Sequence, residues 1–150
     1  MADLTIRSAG RADLPAMLEL YRHLNGDRPL TVAEAEGTWA AMLAHPGLTV
    51  LVGAVPSGDL AASCTLVVVP NLTRGGAPYA LIENVVTHGD HRQRGYGRAV
   101  LDTAVTRAWE AGCYKVMLLT GSQNPATHRF YRNAGFEQTK TGYQIRRPRG

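Results

Sequence analysis

Cysteine is nearly absent. The 150 residues include two, Cys64 and Cys113, far apart, with no CxxC pair and no clustered histidines. That pattern offers neither a disulfide framework nor metal-ligand spacing, so each is expected as a buried thiol in a protein without a metal. Aromatic residues are also few, at 7%, and the basic residues are not interleaved with them, which argues against a stacking platform for nucleic acid. No apolar run approaches the roughly 20 residues of a membrane span. Met1-Ala2-Asp3-Leu4 does not read as a signal peptide, so a cytoplasmic protein with no membrane partner is expected. Internal repeats, linkers and low-complexity segments are missing as well, which leaves one domain over residues 1–150.

What is present is an ordinary globular composition, 45% hydrophobic, on a chain long enough to bury its own core. The net charge of +4 and the isoelectric point near 9.4 suit an anionic ligand. Nucleic acid would suit them too. However, the basic residues are scattered except at Arg146-Arg147-Pro148-Arg149, a run that reads as a solvated terminus.

The informative stretch runs from Ala80 to Leu101. Ala80, Leu81, Ile82, Val85 and Val86 form an apolar run that reads as a buried strand. A polar loop follows, ending in Arg92-Gln93-Arg94-Gly95-Tyr96-Gly97. Leu101, Ala104, Val105, Ala108 and Trp109 then recur at helical spacing, so a helix begins at the glycines. Strand, glycine loop and helix outline an anion site. The first helical turn has backbone N–H groups without internal partners, the helix dipole adds partial positive charge, and glycine lets a bulky anion approach. The spacing is neither GxxxxGK[ST] nor GxGxxG with a later acidic residue for a ribose, so nucleoside-triphosphate and dinucleotide loops are excluded.

Upstream, Leu4 to Arg7 reads as a strand, followed by a helix capped by Asp13 with Pro15 in its first turn. Asn25-Gly26-Asp27-Arg28-Pro29 breaks it, and Thr31 with Glu34 matches a capping box opening a second helix. Leu48 to Val55 and Leu60 to Pro70 are strand-like runs joined by a tight turn at Pro56-Ser57-Gly58-Asp59. A loop spans Asn71 to Pro78. After the central strand and helix, Gly112 ends the helix, Lys115 to Leu119 forms a strand, and Asn124 caps a helix closed by Gly135. Phe136 to Ile145 is expected as a terminal hairpin. The order β-α-α-β-β-β-α-β-α-β-β predicts an α/β fold, a mixed sheet of six to seven strands with about four helices on its two faces.

The RxxGxG pattern at a helix start resembles the pyrophosphate-binding loop of the GNAT superfamily of acyl-CoA N-acyltransferases. One strand later, Asn124, Phe130, Tyr131, Gly135 and Phe136 fall together as N-x5-FY-x3-GF, which resembles the second GNAT signature. The order of elements is similar too. Glu83-Asn84-Val85-Val86, the glycine loop and Cys113-Tyr114-Lys115 further resemble glucosamine-6-phosphate N-acetyltransferases, although that subgroup typically carries Asp where this chain has Asn84.

The resemblance implies a GNAT fold and acetyl transfer from acetyl-CoA to the primary amine of a small molecule, an amino sugar among the candidates, by direct attack in a ternary complex. It implies that the loop Arg92, Gln93, Arg94, Gly95, Tyr96, Gly97 and Arg98 holds the pyrophosphate, largely through backbone, and that Val85, Val86, Thr87 and Asn124 lie along the pantetheine. A backbone N–H near Val85 or Val86 would polarise the thioester carbonyl. Tyr131 would be the general acid, since a phenol is protonated at neutral pH and can donate to a thiolate. Glu83 would be the base, with Glu83 and Asn84 against the substrate, because a charge within the central strand is costly unless used or paired. Read from the residues, Arg92 and Arg94 also suit surface charges, Tyr131 a core aromatic, and Glu83 an ion pair. His88, His91 and His128 are rival bases by titration range. Residues 25–29 and 71–78 are expected to line the acceptor side. A non-catalytic acyl-CoA-binding module and acetylation of a protein or peptide amine are the alternative functions. A homodimer is expected, burying the apolar runs at 48–55 and 60–69.

Overall fold

The computed structural model describes residues 3–26 and 28–149. It divides into two compact units, one ending at Leu118 and one beginning at Leu119, and each is described by itself.

The first unit holds five strands, β1 (Thr5–Ser8), β2 (Leu48–Ala54), β3 (Leu60–Val69), β4 (Tyr79–Thr87) and β5 (Val116–Leu118). Its helices are α1 (Leu14–Tyr21), α2 (Val32–Ala44) and α3 (Tyr96–Glu110). The sheet order follows the chain, β1-β2-β3-β4-β5, antiparallel except for the parallel β4–β5 pair. The meander forms because Gly58 closes the β2–β3 turn, with Val55 N–H donating to the Asp59 carbonyl at 3.0 Å. The parallel pair needs a crossover, and α3 supplies it.

Side-chain alternation along β2 shows why both faces are covered. Val50 and Val52 join Leu14, Met17, Leu20, Ala35 and Trp39 in a core under α1 and α2. Gly53, on the opposite face, lies so close to α3 that an added Cβ would sit 3.1 Å from Val100 Cγ2. From α3, Val100, Leu101, Ala104 and Ala108 are buried, whereas Val105 of the stripe that the sequence spacing predicts is half-buried and Trp109 is 53% exposed. Each of the larger aliphatic side chains contributes roughly 1.5–3 kcal/mol by leaving water.

Local chemistry sets most boundaries. Thr31 Oγ1 accepts the Glu34 N–H at 3.2 Å, and Glu34 Oε2 accepts the Thr31 N–H at 3.4 Å, closing the capping box. Asp13 departs from expectation. Its carboxylate does not cap α1 but accepts the Gly10 N–H at 2.7 Å and both Arg7 guanidinium nitrogens, at 2.7 and 2.9 Å, within a 3-10 turn at Arg11–Asp13. No described helix is long and apolar enough to cross a membrane.

The second unit contains α4 (Pro125–Asn133). Asn124 Oδ1 accepts the Ala126 N–H at 3.0 Å, Pro125 opens the helix, and Gly135 follows it in the left-handed region at φ 96°. The expected terminal hairpin is not formed, which corrects the sheet from six to seven strands to five. Residues 136–149 adopt no strand. The run FEQTKTGYQI alternates no continuous apolar face that could be buried, and Tyr143 and Ile145 are 92% and 98% exposed. A strand without a partner cannot satisfy its backbone.

Of the runs expected to bury a dimer partner, residues 48–49, 54 and 67–69 are half-buried. Residues 50–53 and 60–66 are buried within the first unit itself.

Candidate active site

β4 carries the first irregularity that matters. Ser63 pairs with Val86 and Thr65 with Glu83, so Asn84 and Val85 of β4 face Cys64 alone. This is a β-bulge, with Asn84 in the left-handed region at φ 53°. The bulge breaks the in–out alternation: Ile82 and Val86 are buried, while Glu83 and Asn84 between them are exposed. On the other edge, parallel pairing with β5 ends at Ile82↔Leu118. Residues 83–87 therefore run on without a β5 partner, and their amides and carbonyls on that side are outside the ladder.

The chain then turns through Gly89–His91, and both Gln93 (φ 63°) and Gly95 (φ 79°) adopt left-handed backbone before α3. The first helical bond is from Ala99 N–H to the Gly95 carbonyl, at 3.0 Å. The amides of Tyr96, Gly97 and Arg98 are thus outside the helix's own ladder, at the positive end of a 15-residue dipole. A Cβ added at Gly95 would meet nothing within 4 Å. Unfilled amides beside open space fit an oxygen-rich anion such as a pyrophosphate.

The side chains around this loop are less available than the backbone. Arg98 is bound to Asp102, Nε to both carboxylate oxygens at 3.0 and 3.1 Å. Arg92 reaches the Thr87 carbonyl with Nε and the His23 carbonyl with Nη2, each at 3.5 Å. Gln93 and Arg94 are exposed, and the Tyr96 ring is buried at 7% exposure, which leaves its amide as the group facing the loop.

Beside the bulge, a pocket of about 230 Å³ is lined by Tyr21, Arg22, Asn25, Arg28 and Asn84 among others. Residues 25–29 were expected there, with Asp27 outside the described residues. None of residues 71–78 lines it. Arg22 pairs with Glu19 and Arg28 with Glu34, each at 3.3 Å. Glu83 makes no ion pair among the described residues, which removes the paired reading of its charge. Tyr21 and Arg22 were not singled out in the sequence, for they look like any helix face. Burial pushes the Tyr21 phenol up, with Thr65 partly offsetting it. The two hydroxyls are buried and face each other without reaching hydrogen-bond geometry.

Two of the three rival histidines are engaged, whereas His91 Nδ1 is buried without a hydrogen-bond partner among the described residues. His128 Nε2 lies 2.7 Å from the Ser122 carbonyl, which can only accept, so this nitrogen carries the proton. His88 Nδ1 accepts the Asp90 N–H at 3.1 Å. Among the described residues, Glu19, His23 and His88 bring ligand atoms within 4.8 Å of one another, the spacing of a cation site. Yet both imidazoles use Nδ1 to accept a backbone N–H, whereas a metal-bound histidine donates from its second nitrogen. The donor set does not fit a metal. In the second unit, Tyr131 is half-buried, its ring edge-on to Phe130 at 5.1 Å and to Phe136 at 6.2 Å.

Residues 14–136 match the family model described as the acetyltransferase (GNAT) family. The chain belongs to the GNAT acetyltransferase family. It is 32% identical over 137 residues to a glucosamine 6-phosphate N-acetyltransferase of Trypanosoma brucei brucei, covering 91% of this chain and 90% of that one. A solved structure from Agrobacterium tumefaciens, assigned as an acetyltransferase, superposes with a TM-score of 0.92 at 56% identity, over 95% of this chain and 99% of that one. A Trypanosoma brucei acetyltransferase structure gives 0.83 at 30% identity, over 96% and 99%. The protein is accordingly an acyl-CoA-dependent N-acetyltransferase, with acetyl-CoA the co-substrate of its family. Glu83, Asn84, Val85, Val86, Thr87 and residues 92–98 lie in the first unit, and Asn124 and Tyr131 in the second.

Proposed function

We propose that the protein acetylates the primary amine of a small molecule, an amino sugar phosphate, by direct attack in a ternary complex. The observation that carries the reading is the pocket beside the Asn84 bulge, with the Arg22 and Arg28 guanidiniums in its wall. A guanidinium suits a phosphate through charge and paired donors. The names of the curated relatives support the amino sugar.

Acetyl-CoA supplies an activated acyl thioester. The amides of residues 96–98 hold its pyrophosphate at the α3 N-terminus, and the unpaired edge of residues 85–87, with Asn124, orients the pantetheine. Glu83 takes the proton of the substrate ammonium, directly or through a water, which frees the nitrogen lone pair to attack the thioester carbon. An N–H of Val85 or Val86 donates to the carbonyl oxygen as charge builds on it. The carbonyl re-forms as the carbon–sulfur bond breaks, Tyr131 gives its phenolic proton to the departing sulfur, and the second proton shed by the acylated nitrogen restores the phenol through solvent. The proposal also takes residues 1–150 as one domain and two such protomers as a homodimer.

A panel of amines offered with acetyl-CoA, read by free-thiol release, tests the substrate. Glucosamine 6-phosphate should turn over faster than glucosamine, and Arg28→Ala should erode that preference. Faster turnover of peptide amines than of any amino sugar would overturn it. In the same assay Tyr131→Phe should lower kcat roughly tenfold to a thousandfold with little change in KM for acetyl-CoA.

A further inference from the structure

The glycine loop is tied to the first helix by a residue that none of the roles above includes. His23 lies in the turn that ends α1, its N–H donating to the Leu20 carbonyl at 3.0 Å. Its Nδ1 accepts the Gly89 N–H at 3.2 Å, across 66 positions of sequence. The carbonyl of the same residue accepts Arg92 Nη2 at 3.5 Å. His23 thus provides one acceptor on each side of the turn at Gly89–His91, immediately before the glycines. The approach is close: a Cβ at Gly89 would stand 3.3 Å from His23 Nδ1.

We propose that neutral His23 is a positioning residue for acetyl-CoA, holding Gly89 and Arg92 so that the following amides face the pyrophosphate, and that it releases Gly89 on protonation. The role rests on the reading of residues 92–98 as the cofactor loop. An imidazole accepts at Nδ1 only while that nitrogen keeps its lone pair, with the ring proton on Nε2. A proton added there turns an acceptor into a second donor aimed at the Gly89 N–H, and the bond is lost.

The surroundings contain charge of both signs. His23 lies against His88 with ring centroids 4.0 Å apart and the ring planes tilted by 41°, so charge on one ring opposes charge on the other. His91 lies 5.6 Å beyond His88. On α1, the Glu19 carboxylate comes within 4.8 Å of both imidazoles and is itself paired with Arg22. Asp90 Oδ2 is 3.9 Å from His88 Nδ1, and Asp59 of the β2–β3 turn lines the same cavity as His88 and His91.

Two variants separate the hydrogen bond from the bulk of the ring. His23→Asn keeps an acceptor near the position of Nδ1 but does not titrate, and His23→Leu fills the space without an acceptor. At pH 8, His23→Leu should raise KM for acetyl-CoA roughly threefold to tenfold, the worth of one hydrogen bond, with kcat nearly unmoved, and His23→Asn should restore it. Between pH 8 and 5.5, where imidazoles take up their proton, wild-type KM should rise more than that of His23→Asn. The Gly89 amide resonance, followed by NMR without ligand, should shift with pH in the wild type and stay put in His23→Asn. An unaltered KM in His23→Leu, a His23→Asn profile that tracks the wild type, or a Gly89 resonance indifferent to pH would each overturn the role. Wild-type protein that binds no acetyl-CoA while Gly89 still follows His23 would instead refute the cofactor loop, and the positioning role with it, leaving the contact itself intact.

Discussion

Replacing Gly95 by alanine separates what the loop does for the fold from what it does for the ligand. Gly95 caps α3 at φ 79° and ψ 9°, and an added Cβ would meet nothing within 4 Å. The free protein therefore pays only for left-handed backbone, about 1–2 kcal/mol for a residue with a Cβ. In a chain of this length that lowers Tm by roughly 2–8 °C. The space that is open in the free protein is the space a phosphate oxygen needs to reach the amides of residues 96–98. A methyl group there removes or lengthens one or two hydrogen bonds to a charged group, each worth about 1.5–3 kcal/mol, so affinity for CoA should fall roughly tenfold or more.

Gly112 provides the matched control at the opposite end of the same helix. Its φ is 86°, and a Cβ there also meets nothing within 4 Å. Gly112→Ala should show the same melting shift, and calorimetry should find its CoA affinity within about twofold of wild type, because only the backbone strain is shared. Equal affinities in the two variants, or wild-type affinity in Gly95→Ala, would refute the assignment of the anion to this helix terminus.

Hydrogen bonding from Arg7 above all holds the Asp13 carboxyl below its usual value. A depressed folded value means stability that is complete above the ordinary 3.8 and lost as pH falls through the lower folded value. Asp13→Asn should therefore cost roughly 1 kcal/mol at pH 7 in denaturant titrations, and the difference from wild type should shrink in that acid window; a gap that persists there would refute the linkage. Burial pushes the Cys64 thiol up to about 12 and raises Cys113 as well, so iodoacetamide at pH 8 should label neither until the protein is unfolded. Rapid labelling of Cys64 in native protein would contradict its place in the core. Light scattering should give roughly twice the protomer mass of 16.2 kDa at micromolar concentration, and a monomer would remove the dimer from the proposal.

The parts of the fold legible in the sequence are those decided by neighbours in the chain. Thr31 and Glu34 close their box, Asn124 and Pro125 open α4, and Gly112 and Gly135 take the left-handed backbone their positions require. The features that were not legible are set by distant partners. Asn84 has φ 53° because β3 offers one residue where β4 has two, a register that no local pattern encodes. His23 meets Gly89 across 66 positions, and alone on a helix end it reads as solvated. The terminal hairpin is the converse case: residues 136–149 include passable strand residues yet adopt no strand.

The same distinction explains why the cofactor side of the site was easier to find than the acceptor side. A pyrophosphate is recognised by amides, which every residue has, so the sequence records only what lets the ligand come near: glycine at a helix start. The arginines that accompany the motif carry less of the burden, since Arg98 is committed to Asp102 and Arg92 to two carbonyls. The pocket proposed for the amine is lined by residues from α1, the loop after it and the β4 bulge. Asn84 and the loop that holds Arg28 were expected on the acceptor side, whereas Tyr21 and Arg22 occupy no spacing that marks them as pocket residues, and the four become neighbours only when the sheet register is set. On the proposed function, specificity is therefore a property of tertiary contacts, while the binding of the activated acyl group is written locally, in two glycines and the helix they open.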